Sequence, residues 1–435
     1  MPYGGLDKKH IFFIYDVGGL FSQFAIKLSK QGHEVYYFTP FYENVTFKRY
    51  AIGLNIANVK KPLYFFQKLL KFKKEDVTLM FPDVGTGDLA HFLKQMGYSV
   101  FAAGLGDILE FHRDWLKKKL KELGLPVMEY EILEGIEELK KHLERKKERV
   151  IKIDIFRGDE ETWFAQNVKV IDMKLNKLQK DFGPFAYDYN FISEEKIEGD
   201  EPGFDMIFNK TDYVKPYLWG WEIAKGPYCG VCSLDVPKVI AELRDKLKPL
   251  LQKLDWRGFI STEAKVKDNR PYLIDVCSRA PHPLGLGFTV LYENFAEIIY
   301  KVARGIPVEA KIKGKFMLVL PLSCNLAFNE WLHLIFPERA QDEIKIGQNY
   351  FAILPASCAR SEKYQKGYYH VPGVSEVVAV VVGVGNDLKQ LKKGIAYLQK
   401  KVDIGGEKID TIPEAELNEA IVHMQRVLQK EKIKI

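Results

Sequence analysis

The sequence predicts a multidomain chain of α/β and α+β type. It has an N-terminal doubly wound parallel sheet, a larger central region and a small C-terminal α+β domain. Three observations predict this. With 435 residues, 47% of them hydrophobic, the chain can bury a substantial core and should divide into about two to four domains. Strand, turn, helix and strand alternate through the first hundred residues, which is the pattern of a parallel sheet. Beyond them one segment, Glu263 to Asp275, reads as a hairpin, and the tail returns to a strand followed by a helix.

The first unit is His10-Ile11-Phe12-Phe13-Ile14-Tyr15, the turn Asp16-Val17-Gly18-Gly19, a helix to Gly32 and the strand Glu34 to Phe38. A second runs from Asp76 through Pro82-Asp83 and a helix to Gly97, then Tyr98 to Ala102. Three or four such units make a small doubly wound sheet, and Pro82-Asp83 falls at the carboxyl end of a strand, where ligands bind. The turn Asp16-Val17-Gly18-Gly19 lacks the full glycine spacing of a dinucleotide fold and no acid follows for a ribose, so a dinucleotide dehydrogenase is excluded.

From Leu109 to Pro126 a cation, Arg113, opens a helix with the apolar stripe Trp115, Leu116, Leu120 and Leu123, stopped by Gly124 and Pro126. Lys117 to Lys121 read as its exposed basic face, and Lys140 to Arg149 as another solvated helix face. Glu148 to Asp154 is a short apolar strand carrying Lys152, followed by Phe156 to Trp163 with one glycine and three acids. Ile192 to Glu201 is an acidic, glycine-containing turn of a kind that is usually only a solvated loop.

Glu263 to Asp275 reads as two strands joined by a polar turn. Ile260, Thr262, Ala264 and Val266 alternate with Ser261, Glu263 and Lys265; Tyr272, Ile274 and Val276 alternate with Leu273, Asp275 and Cys277. Folding about Asn269 sets the Glu263 and Asp275 carboxylates opposite each other, with Cβ atoms roughly 4.5 to 5.5 Å apart. Opposed acids repel unless a cation lies between them. The span suits one or two Mg²⁺ ions, which take oxygen ligands and are normally shared with phosphates. For the pair alone, a solvated acidic turn beside Lys265 and Lys267 is the commoner arrangement.

Its context changes that balance. Asp275-Val276-Cys277-Ser278-Arg279 is followed by Ala280-Pro281-His282-Pro283, and the upstream segments fall into a matching order. In this order the chain resembles the ATP-grasp superfamily, in which an acid on one strand is followed by an acid, an Asn and an Arg at two-residue steps on the next. Glu263, Asp275 and Arg279 occupy three of those positions. Cys277 stands where the family usually has Asn; thiolate is soft and Mg²⁺ hard, so either one metal is held differently or Cys277 stands behind the ligands.

The resemblance implies the remaining roles. Glu263 and Asp275 would hold Mg²⁺, or Mn²⁺ in its place; Lys152 and Arg113 would bind the phosphates of ATP, with Phe156 to Trp163 closing over them. The backbone of Glu195, Lys196 and Ile197 would contact adenine, with Glu194 near its amino group and Glu201 near the ribose hydroxyls. Arg279 would stabilise developing negative charge. The implied reaction joins a small-molecule carboxylate, glycine or another amino acid, to an amine through an acyl phosphate. Ala224-Lys225-Gly226-Pro227-Tyr228-Cys229-Gly230 and the tail Val377 to Gly406 further resemble the phosphoribosylamine–glycine ligase family of purine biosynthesis. The alternatives are an ATP-grasp ligase with another carboxylate or acceptor, and a non-catalytic ATP-binding protein.

The expected limits are 1–105 for the N-terminal α/β domain, 106–312 for the ATP-grasp region with a mobile lobe at about 126–190, and 313–435 for the C-terminal domain. The longest apolar stretches are strand-sized, so no signal peptide or membrane span is expected and the cytoplasm is the expected location. A net charge of +6 with interspersed signs favours anionic small molecules over a dedicated nucleic-acid surface. A monomer or homodimer is expected. Five cysteines fit a reducing compartment. Cys229 and Cys232 read as ordinary thiols near the substrate cleft, with a redox pair as the alternative, and His282 reads either as an active-site residue or as a structural one.

Overall fold

In a computed structural model, residues 2–39, 52–53, 55–56, 58–146, 148–154, 162–166, 168–222, 226–335, 342–360, 367–405, 407, 409–411 and 414–433 are described. The N-terminal strands β1 (Ile11–Tyr15), β2 (Glu34–Phe38), β3 (Val59–Lys60), β4 (Val77–Met80) and β5 (Ser99–Phe101) pair in the order β3-β2-β1-β4-β5. All neighbours are parallel. Near-continuous apolar strands such as Ile-Phe-Phe-Ile-Tyr in β1 fit this arrangement, because helices cover both faces of a parallel sheet. Helices Ser22–Lys30 and Gly87–Gln95 follow β1 and β4. The strand order reverses between those two strands, so the turn holding Asp16 and the turn holding Asp83 face one crevice at the carboxyl edge.

His10, just before β1, is buried in this layer. Its Nε2 lies 2.9 Å from Thr78 Oγ1, and its backbone N–H donates to His33 Nδ1. Burial, helped by the charges of Arg304 and His33, lowers its pKa to about 3. Between that value and its ordinary 6.5 the unfolded chain binds a proton that the folded chain refuses. Stability is therefore complete above pH 6.5 and falls as the pH drops towards 3. We expect His10 alone to cost about 2 kcal/mol at pH 5 relative to pH 8. Calorimetry should show a steeper acid-side loss of Tm in the wild type than in His10→Gln; parallel curves would refute this.

A small antiparallel sheet follows, built from β6 (Tyr130–Glu134), β7 (Arg149–Ile153), β8 (Thr162–Ala165) and β9 (Asn190–Glu195) in the order β6-β9-β7-β8. Helices Gly135–Arg145 and Val168–Phe182 bury Leu139, Leu143 and Leu175 against Ile151, Ile153 and Phe191.

The large sheet contains β10 (Pro202–Asn209), β11 (Tyr217–Glu222), β12 (Tyr228–Ser233), β13 (Arg257–Lys267), β14 (Arg270–Cys277) and β15 (Phe316–Ser323). The tail adds β16 (Leu332–Ile335), β17 (Ile344–Ile346), β18 (Asn349–Pro355), β19 (Cys358–Arg360), β20 (Gly367–His370), β21 (Val377–Gly385) and β22 (Asp410–Thr411), four of which join the large sheet. The main path is β14-β13-β10-β11-β12-β15-β21-β18-β17, with β22 on β15, while β16, β20 and β19 form a separate small sheet. Hydrogen bonds between β12 and β15 carry the sheet across the expected limit at residue 312, with Tyr228 opposite Val319 and Val231 opposite Phe316. Each face has its own apolar core: Leu243, Leu247 and Leu251 of helix Lys238–Lys253 lie in one, and Phe288, Phe295 and Ile299 in the other.

Candidate active site

The β13–β14 hairpin brings Glu263 and Asp275 directly opposite each other. The route differs from a fold about Asn269. Lys267 pairs with Arg270, leaving a two-residue turn in which Asp268 and Asn269 have φ of 53° and 57°. Two successive positive φ values suit the twist of a tight hairpin, and Asp and Asn tolerate them better than most side chains. Continued without interruption, that register would set Glu263 against Ile274. A bulge restores the opposition, since Ala264 pairs with Leu273 but Glu263 pairs with Asp275, leaving Ile274 as the extra residue. The bulge also corrects the expected alternation on β14. Leu273 and Val276 are both buried in the core, and Tyr272 and Ile274 lie off it.

The carbonyl at the bulge accepts a hydrogen bond from Lys152. Lys152 Nζ lies 3.0 Å from Ile274 O, 3.1 Å from Asp275 Oδ2 and 3.9 Å from Glu194 Oε2, with its side chain 1% exposed. Burial works against its charge, yet Asp275 and Glu194 outweigh it and hold the pKa above the usual lysine value. Arg113 opens helix Arg113–Glu122. Its backbone N–H donates to Asp154 Oδ1 at 2.9 Å, its Nη1 donates to Ile153 O at 2.6 Å, and its Nε stands 3.5 Å from Asp275 Oδ1. Two cations on separate elements therefore converge on one carboxylate.

Lys117 corrects the reading of Lys117 to Lys121 as a solvated face. It is 3% exposed and its Nζ is 2.5 Å from Glu194 Oε1, itself buried on β9. Four residues after Arg113, it lies on the same side of the helix. That spacing was the available signal. Burial, only partly offset by Glu194, lowers its pKa. By contrast the side chain of Lys118 is 62% exposed and pairs with Asp114.

Glu263 is half-buried. Burial, then the charges of Asp275 and Glu201, raise its pKa to about 7. Such a carboxylate needs a proton or a cation, and an all-oxygen pair suits a hard divalent ion. Among the described residues no group of three or more His, Cys, Asp or Glu side chains is placed to hold a metal. An ion here would complete its shell with water and substrate oxygens. Glu201 is partly exposed, with Lys265 Nζ 2.5 Å away. Glu195 is exposed and its N–H donates to Glu129 O; Lys196 lies over the Phe164 ring beside Glu198; Ile197 is buried. Residues 156–161 and 224–225, parts of two segments expected at the site, lie outside the described residues.

Arg279, two residues past β14, donates from Nε to Glu110 Oε1 at 3.0 Å and lies with Nη1 3.5 Å from Asp83 Oδ1. Glu110 is a buried acid that the sequence reading did not single out. It also accepts from the backbone N–H of Ser278 at 2.5 Å and from its hydroxyl at 2.8 Å. Its place three residues before Arg113 was the only hint. His282 is partly buried, its ring edge-on to Phe21; burial, then Arg279, lowers its pKa to about 3. Cys277 is half-buried. Cys229 and Cys232 are fully buried three residues apart on β12, so they enter the cores on opposite faces, which corrects both the cleft placement and the redox pair.

No family model matches the chain, and no curated protein matches it in sequence. Solved structures do match. A phosphoribosylamine–glycine ligase from Thermotoga maritima superposes with a TM-score of 0.62 at 18% identity, covering 92% of this chain and 98% of that one. An N5-carboxyaminoimidazole ribonucleotide synthetase from Thermotoga maritima gives 0.60 at 14%, covering 93% and 100%. The biotin carboxylase domain of the Hydrogenobacter thermophilus 2-oxoglutarate carboxylase, solved with MgADP, ADP and bicarbonate, gives 0.65 at 12%, covering 92% and 91%. These likenesses carry the fold. The chain has the ATP-grasp fold, with an N-terminal parallel sheet and a C-terminal α+β part.

Proposed function

We propose that this protein is an ATP-dependent ligase that activates a carboxylate as an acyl phosphate and transfers the acyl group to an amine. The observation that supports it best is the opposition of Glu263 and Asp275 with Lys152 and Arg113 both directed at Asp275. Phosphoryl transfer asks for little beyond positioning and neutralisation of the phosphate oxygens, and this cluster supplies cations for both. The neighbour solved with MgADP agrees in kind.

In this reading Lys152 and Arg113 receive the phosphates. Lys117 and Glu194 form the wall near the base, the backbone from Glu195 to Ile197 borders adenine, and Glu201 meets the ribose. Glu263 and Asp275 would hold Mg²⁺, which supplies charge neutralisation at the transferring group. The substrate carboxylate oxygen attacks the γ-phosphorus and ADP leaves. The amine then attacks the acyl carbon, expelling phosphate and releasing a proton, while Arg279 faces the oxygens that gain negative charge. The carboxylate is that of glycine or another small amino acid. The expected limits 1–105, 106–312 and 313–435 serve as the three parts of this enzyme.

The test is Mg²⁺-dependent ADP formation with pooled amino acids and hydroxylamine, which traps an acyl phosphate as a hydroxamate. Hydroxamate and ADP in equal amounts are expected. ADP binding without turnover on any pooled acid would overturn the proposal in favour of a nucleotide-binding protein.

A further inference from the structure

We infer that the amine enters at the carboxyl edge of the N-terminal sheet and that this edge selects an amine bearing no phosphate. The inference rests on the ligase reading and names the acceptor class for the same site. In a doubly wound sheet a ligand binds where the strand order reverses, which is between β1 and β4 here. At such an edge a phosphate is received by free backbone N–H groups of the turns and helix starts. In this chain its own carboxylates take six of those groups. Asp16 accepts from Leu20 N–H at 3.3 Å and Phe21 N–H at 2.7 Å. Asp83 accepts from Gly18 N–H at 3.1 Å and Val84 N–H at 2.9 Å, and Asp107 accepts from the N–H groups of Gly85 and Gly87, each at 2.9 Å.

Packing keeps this arrangement in place. A Cβ on Gly18 would lie 2.6 Å from Asp83 Oδ2, and one on Gly87 would lie 2.9 Å from Asp107 Oδ2. Among the described residues, Asp16, Asp83, Asp107 and Glu110 stand at this edge, with Arg279, Lys61 and Lys94 as cations near them. A dianionic phosphate at these turns would meet the carboxylates of Asp16, Asp83 and Asp107 already seated on six of their N–H groups. An ammonium or amine meets acceptors, since each carboxylate oxygen can take two hydrogen bonds and Asp83 Oδ2 has one from Gly18.

Two further observations point to a ligand at this edge. Arg279 bridges Asp83 to β14, four residues after Asp275, so the edge adjoins the phosphoryl site. Nε2 of His282 is buried and has no hydrogen-bond partner among the described residues. It stands beside Phe21, whose N–H binds Asp16, and within reach of the Arg279 charge. A substrate amine would give that nitrogen the partner it lacks.

The test uses hydroxamate formation by the full chain as its base, with matched amines as competitors of hydroxylamine: ethanolamine against O-phosphoethanolamine, and glucosamine against its 6-phosphate. Any amine that enters the acceptor site lowers the hydroxamate yield, whether or not it reacts. In each pair the unphosphorylated member should compete at a concentration about tenfold lower or less. In Asp83→Asn this preference should shrink about tenfold. A merely structural role for Asp83 would move both members together. Equal or better competition by the phosphates, no competition by any of the four, or an unchanged preference in the variant would overturn the inference. Absence of hydroxamate with every carboxylate, while ADP still binds, would instead mark failure of the ligase reading.

Discussion

Asp275→Asn should still fold, with some loss of stability as Lys152 and Arg113 lose their shared negative charge, and lose ADP formation by about a thousandfold or more, on the order of 4 kcal/mol of transition-state stabilisation. Asparagine keeps an oxygen for Lys152 and nearly the same volume, so the hairpin and the bulge at Ile274 should survive. What disappears is the negative charge opposite Glu263 and the capacity to hold a divalent cation. Glu263, relieved of Asp275's repulsion, should titrate closer to the usual carboxylate range. Asp275→Ala should do the same to turnover and destabilise the fold more, by about 3–5 kcal/mol, because buried Lys152 and Arg113 would lose the acceptor oxygen as well as the shared charge. Single-turnover ADP formation and thermal melts on both variants separate these effects. Turnover near the wild-type rate in Asp275→Asn would sink the assignment of the carboxylate pair.

Breaking the Lys117–Glu194 pair is expected to have the second-largest effect. Both groups are nearly fully buried and their charged atoms are 2.5 Å apart. Removing one leaves the other charged in a low-dielectric site, so Lys117→Met or Glu194→Leu should each cost about 3–5 kcal/mol. The double variant should recover part of that stability, because two apolar chains of similar volume replace the pair while Lys152 keeps Asp275 as its counter-charge. Nucleotide affinity should not recover with it. Denaturant unfolding gives the coupling energy, and titration with ADP gives the affinity. A double variant that is stable and binds ADP as well as the wild type would remove the pair from the nucleotide site.

The fold class was largely readable, since periodicity and turn chemistry are local properties. The alternating units from His10 to Ala102 appear as the parallel sheet, and the β13–β14 hairpin appears where its polar turn predicts it. The opposition of Glu263 and Asp275 was also readable, but through a compensation. A turn one residue shorter than expected and a bulge one residue long cancel at that pair, and the alternation beyond it inverts. Bulges depend on the partner strand and leave little trace in a single strand's pattern.

Lys117 shows a second limit. A lysine among lysines on a helix reads as solvated, and its burial comes from β9, about 77 residues later in the chain. Glu110 was obscure for the same reason, its partners being Ser278 and Arg279. Cys229 and Cys232 were close in sequence, yet strand geometry sends side chains three residues apart to opposite faces. Their C-x-x-C spacing would have meant something else on a helix.

The pairing of β12 with β15 has an engineering consequence. A gene cut at residue 312 would not release two tidy modules. The upstream fragment would end its sheet on Tyr228-Cys229-Gly230-Val231-Cys232-Ser233, a buried apolar strand with its ladder of N–H and C=O groups suddenly unpaired. Exposed strands of that kind recruit other strands, including copies of themselves. The C-terminal part thus acts as a built-in cover for an adhesive edge. Fusions, tags and circular permutants of this protein should be joined at loops that leave that seam closed.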